Sequence, residues 1–129
     1  MSTFQLHLKG TGLSGRVVRY KTLSAGEVDQ LTLDAAKSIG ESGTFLELRK
    51  AEWREGTRRM LVGVSEPADT MDGVKVRKVL PIDLDGDNYD ELFTPRDHSV
   101  LVGLYRALHE VTQEEITAIM GKALPVSED

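Results

Sequence analysis

Apolar residues recur along this chain in two rhythms, and the switches between them lay out its elements. Phe4, Leu6 and Leu8 alternate with Gln5, His7 and Lys9, the two-residue period of a half-buried strand. Arg16 to Lys21 gives a second strand with Val18 and Tyr20 on one face, and Gly10 to Gly15 joins the two as an antiparallel hairpin. Beyond Ser24 the period lengthens. Val28, Leu31, Ala35 and Ile39 fall at helical spacing between a Ser24–Glu27 capping box and Gly40, a natural stop. Thr44–Glu47 opens a second helix in the same way. On its wheel Leu46, Trp53, Thr57, Met60, Leu61 and Val64 share one face, while Leu48, Ala51 and Val62 lie nearly opposite. A helix apolar on two sides is either central to a core or meets a partner with its second face.

The strand period returns at Val74 and Val76 and continues through Val79, Leu80 and Ile82, with Pro81 marking an edge or a bulge. Asp83 to Glu91 is an acidic turn. Thr94-Pro95-Arg96-Asp97 then places a capping hydroxyl, a first-turn proline and a carboxylate at helix-starting offsets, and Val100, Leu101, Leu104, Leu108 and Val111 form one stripe. Thr112–Glu115 is a further capping box, with Val111 placed to staple onto Ile116. Ile116, Ile119, Met120 and Ala123 carry the last stripe, ended by Gly121 or Pro125. Both stripes are expected to bury the same side of a C-terminal αα-hairpin. The pattern predicts one α+β domain over residues 1–125. An N-terminal antiparallel hairpin and a third strand form a small sheet, packed with about four helices; residues 126–129 form a loose tail. No internal repeat, linker or low-complexity segment interrupts it.

Composition narrows the class. A chain of 129 residues, 40% hydrophobic and 29% charged, is long enough for a real core without staples. It has no cysteine, so disulfides and thiolate chemistry are excluded. Met1-Ser2-Thr3-Phe4 lacks the basic start and apolar run of a signal peptide, and no apolar run approaches the ~20 residues of a membrane span. The net charge of −5 argues against a broadly basic nucleic-acid binder. It is unevenly distributed: residues 1–63 hold ten Lys/Arg against seven Asp/Glu, and residues 64–129 hold six against fourteen. Such asymmetry suits head-to-tail association of copies, basic part to acidic part, so a homo-oligomer is one expectation.

Four stretches have the residue types of a chemical site. Gly10-x-Gly12-x-x-Gly15-x-Val17 matches the glycine-rich loop that covers ATP phosphates in protein kinases, with strands on both sides. The remaining chain is too short for a catalytic lobe and lacks the His-Arg-Asp and Asp-Phe-Gly motifs. Three glycines that let a hairpin connection reach positive φ are the favoured reading. Asp83, Asp85, Asp87 and Glu91 stand at positions 1, 3, 5 and 9 of a calcium-type loop, but its glycine is at 4 and Thr94 is at 12. A solvated acidic turn is preferred there, with a calcium-tuned interaction module as the alternative. Asp97-His98-Ser99 are consecutive helix positions and cannot form a relay, and His98 and His109 are ~16 Å apart along one helix. The three histidines are therefore expected at the surface. Lys50, Arg54 and Arg58 recur at successive fours with Arg59 beside them, a basic stripe suited to an acidic protein partner. No catalytic residue, cofactor or metal site is assigned.

Three stretches resemble small proteins encoded with the tail genes of tailed bacteriophages and prophages. They are Phe4 to Gly10 with Val17 to Tyr20, then Leu46 to Gly56, then Phe93 to Asp97 with Leu108 to Ile116. Such proteins are mostly of the tail assembly chaperone kind, and others are minor tail, baseplate or connector components of the virion. The resemblance implies a non-enzymatic protein that holds the tape-measure protein or unassembled tail subunits in the host cytoplasm, or one retained in the particle. It brings no catalytic residues, nucleic acid or membrane. Leu48, Ala51, Val62, Val102 and Tyr105, with the cations Lys50, Arg54 and Arg58, are the candidate partner-binding residues.

Overall fold

A computed structural model describes residues 2–66 and 88–122 and, as paired strands, 69–71, 74–76 and 79–80. The chain runs β1 (Phe4–His7), β2 (Val17–Tyr20), α1 (Ala25–Ile39), α2 (Phe45–Met60), β3 (Leu61–Ser65), β4 (Asp69–Met71), β5 (Val74–Val76), β6 (Val79–Leu80), α3 (Tyr89–Leu92), α4 (Pro95–His109) and α5 (Gln113–Lys122). The fold is α+β. Antiparallel strands β1-β2-β3 form the sheet, β6 lies on the β3 edge, and β4 and β5 pair separately. Asp83–Asp87, most of the acidic turn, and the 126–129 tail lie outside the described residues.

The helix starts follow the local code. Ser24, Thr94 and Thr112 each close a capping box with the carboxylate three residues on, satisfying two orphan donors apiece. Thr44 supplies only its own half, accepting from the Glu47 amide at 3.1 Å. α1 stops at Gly40, whose φ of 73° suits a residue with no Cβ. A four-residue helix at Tyr89–Leu92 stands where the acidic turn was expected to continue.

The second helix is shorter than its apolar pattern. α2 ends at Met60, and Leu61 turns directly into β3 with no intervening loop. Leu61 and Val64 are buried as expected, but as strand residues beside β2, and Val62 faces solvent from the strand. Two features favour a strand here. Val62 and Val64 are β-branched, and Gly63 lets the Arg19 side chain lie across it; a Cβ at Gly63 would sit 2.7 Å from Arg19 Nη2. The third strand expected at Val74–Ile82 is split, with Val74–Val76 in the β4–β5 pair and Val79–Leu80 joining the sheet; Pro81 and Ile82 lie outside the described residues.

Two apolar clusters make the core. Leu8, Val18, Leu61, Val64, Tyr89, Phe93 and Leu101 fill the space between the sheet, α3 and α4. Leu23, Leu31, Met60 and Tyr105 hold α1, α2 and α4 together. At the α2–α4 crossing Gly56 lies against the Tyr105 ring, so closely that a Cβ would fall 2.6 Å from the Tyr105 hydroxyl. Tyr105 is thus a core residue and not the surface contact the sequence offered. Leu46, assigned to the core face of α2, is 58% exposed.

The hairpin connection docks on the start of α4. Gly10, Gly12 and Gly15 all take positive φ, and Arg96 packs where a Gly12 Cβ would be. The Thr94 hydroxyl donates to Gly12 O at 2.9 Å while accepting from the Asp97 amide at 3.0 Å. Asp97, fully buried, accepts from the Ser14 amide at 3.0 Å and the Thr94 amide at 2.9 Å. The glycine loop therefore meets a helix cap and is spent on packing.

After the bend at 110–112, α5 gives the expected helix–bend–helix. Its apolar stripe, however, remains in solvent: Ile119 and Met120 are 63% and 70% exposed, and Ile116 39%. Each such side chain left in water forgoes roughly 1.5–3 kcal/mol of burial. Among the described residues no helix is long and apolar enough to cross a membrane.

Candidate functional site

Helices α2 and α4 leave a groove of about 520 Å³ between them, lined by Lys50, Trp53 and Arg54 on one wall and by His98, Ser99, Val102, Gly103 and Arg106 on the other. Helical spacing explains the composition of both walls. Lys50 and Arg54 are four apart, as are His98, Val102 and Arg106, so each set projects from one flank of its helix. Past Arg54 and His98 the groove continues into a hollow of about 320 Å³ bounded by Tyr89, Asp90, Phe93 and Pro95.

Trp53 is fixed in place. Its indole Nε1 donates to Glu110 Oε2 at 2.9 Å, and the Arg106 and Arg49 guanidiniums lie over its ring at 4.3 and 5.3 Å. Burial tends to raise the Glu110 carboxyl, but hydrogen bonds from Trp53 and Arg106 outweigh it and hold the group below the usual carboxylate range. Arg54 is paired with Asp90 at 2.8 Å and lies over Tyr89 at 5.2 Å. Lys50 is exposed and has no ion-pair partner among the described residues. The lining thus combines an apolar strip of Trp53, Val102 and Gly103 with three cations, of which Arg54 and Arg106 are paired with Asp90 and Glu110 at its margin and Lys50 is unpaired among the described residues.

His98 and His109 depart from their expected surface roles. His109 Nε2 accepts from the Leu23 amide and its Nδ1 donates to Tyr105 O, both at 2.8 Å, tying the start of α1 to the end of α4. His98 Nδ1 accepts from the buried Tyr89 hydroxyl at 2.7 Å. Burial, then the Arg54 charge, hold the His98 imidazole below its ordinary pKa, with Asp90 opposing. The unfolded chain therefore binds the proton more readily. His98's contribution is complete above the unfolded value of about 6.5 and is lost as pH falls through it toward the lower folded value. The melting temperature is expected to drop between neutrality and mildly acid pH, before the carboxylates titrate. His98→Asn, whose amide oxygen can still accept from Tyr89, should flatten that segment of a melting-temperature–pH curve; an unchanged slope would assign it elsewhere.

Of the residues read from the sequence, Lys50, Arg54 and Val102 come together in this groove. Leu48 and Ala51 are half-buried on α2, Arg58 is half-buried at 4.0 Å from Glu55, and Val62 is exposed on β3. The sequence reading missed Trp53, His98 and Arg106 as lining residues, although the 98-102-106 spacing was visible beside the apolar stripe of α4. Among the described residues no three His, Cys, Asp or Glu side chains gather as metal ligands. No protein family model, curated protein or solved structure matches this chain.

Proposed function

We propose that this chain is a non-enzymatic protein-binding module whose α2–α4 groove receives an acidic amphipathic helix of a partner, and that it serves tail morphogenesis in a tailed bacteriophage as an assembly chaperone. The observation that carries the binding reading is the groove itself. A rigid tryptophan and Val102 offer an apolar seat beside Lys50, which is unpaired among the described residues, with Arg54 and Arg106 already paired to Asp90 and Glu110 at the margin. A helix with one apolar flank and an acidic residue for Lys50 would complement that arrangement. The assignment to phage tails rests on the three stretches that resemble tail-gene proteins. The partner is then the tape-measure protein or an unassembled tail subunit, and the place of action is the host cytoplasm. The second reading, a virion component, follows from the same resemblance.

Co-expression with the tail proteins encoded beside it tests the proposal. The parent chain should keep one of them soluble. A Lys50→Glu, Val102→Asp variant that remains folded by circular dichroism should lose that effect, and undiminished solubility with the variant would overturn the groove assignment. Mass spectrometry of purified particles separates the two phage roles: a chaperone is absent from them, a virion component present.

A further inference from the structure

α5 has the features that the groove asks of a partner. It opens with Glu114 and Glu115, and Ile116, Ile119 and Met120 make a stripe down one side that is exposed among the described residues. Every described side chain from Val111 to Gly121 is exposed. Its ten residues span ~15 Å, and the groove wall from His98 to Arg106 runs ~12 Å along α4. A helix with an acidic start and an apolar stripe, and an apolar-floored groove of matching length with an unpaired lysine on its wall, therefore occur on one molecule, each uncovered by the described residues.

We propose that α5 of a second copy of this chain occupies the α2–α4 groove. The inference rests on the reading of that groove as a helix-docking site and names its resident occupant in the absence of a client. Ile119 and Met120 lie against Trp53 and Val102, and Glu114 pairs with Lys50, the groove cation without an ion-pair partner among the described residues. Because each copy carries both a donor helix, α5, and an acceptor groove, between α2 and α4, two copies satisfy both requirements by exchanging helices around a two-fold axis, which closes the assembly as a dimer. One helix in one groove is a small contact, so the dimer is weak, reversible and salt-sensitive. Self-association then occupies the site until a client displaces it.

Sedimentation velocity on the full chain, over a wide concentration range at low and high salt, is the test. Lys50 and Glu114 are both exposed and free of ion pairs among the described residues, so their reversal leaves the fold intact. Lys50→Glu, Glu114→Lys and Ile119→Ser should each weaken dimerisation by about tenfold or more. An equimolar mixture of the Lys50→Glu and Glu114→Lys chains should recover it, because every groove then meets a helix of opposite charge. A monomer at all concentrations, or a dimer indifferent to these variants, would overturn the proposal. So would a monomer whose Trp53 fluorescence responds to Ile119→Ser independently of concentration, which would put α5 in its own groove. Ile119→Ser leaves the groove unchanged. If that variant still solubilises a tail protein while the parent chain proves monomeric, the inference fails and the functional reading survives.

Discussion

Asp97→Ala is expected to melt about 10 °C below the parent chain, a loss of about 3 kcal/mol. That is a large share of the roughly 5–15 kcal/mol that holds a domain of this size together. The carboxylate is fully buried and takes a backbone N–H on each oxygen, Ser14 on Oδ1 and Thr94 on Oδ2. Alanine removes both acceptors and leaves two half-buried amides without their partner. Asp97→Asn should fall between the two, since one oxygen remains and an NH2 group now faces a donor. The same capping chemistry at Ser24–Glu27 is exposed, so Glu27→Ala should cost far less than Asp97→Ala. Thermal melts of the three variants check the ordering, and equal losses at Asp97 and Glu27 would refute the role given to burial.

Gly56→Ala should destabilise by about 2 kcal/mol, although alanine is the better helix former. Propensity favours the change by about 1 kcal/mol, but the new methyl meets the Tyr105 ring, and overpacking of this kind costs up to about 3 kcal/mol. Tyr105 has little freedom to withdraw: it is 3% exposed and stacked on His109 at 4.5 Å. Gly103, also within a helix, is open on that side: a Cβ there would meet nothing within 4 Å, and Gly103→Ala should stabilise by about 0.5–1 kcal/mol. Denaturant titration of both settles the sign. Combining Gly56→Ala with Tyr105→Leu should cost less than the two changes added together, because the shorter side chain vacates the contested space.

What could be read in advance followed the range of the interactions involved. Capping boxes lie within four residues, so Ser24, Thr94 and Thr112 announced their helices without help from the rest of the chain. The hairpin was equally legible, because alternation at Phe4–Leu8 and the glycines after it are local facts. Leu61–Ser65 was not. Leu61 and Val64 stand three apart, as a helix face also requires, and only pairing with Val17–Tyr20 decides for a strand. Asp97 was recognisable as a capping residue, yet its burial depends on Gly12 and Ser14, remote in sequence. The groove was half visible. Lys50 and Arg54 stood out as a stripe, whereas His98, Val102 and Arg106 on the opposite wall share a spacing of four but mix polar and apolar types, so neither a charge nor an apolar pattern marked them. α5 shows the converse limit: a striped helix states that it has an apolar side, not what will lie against it.

The bond between Ser14 and Asp97 joins positions 83 residues apart, and that separation shapes how the molecule is made. As the polypeptide leaves the ribosome, the hairpin emerges long before the helix that fastens its glycine connection. The glycine turn therefore stays without its Thr94–Asp97 partners until most of the chain has been made, and only then can Asp97 take the Ser14 amide.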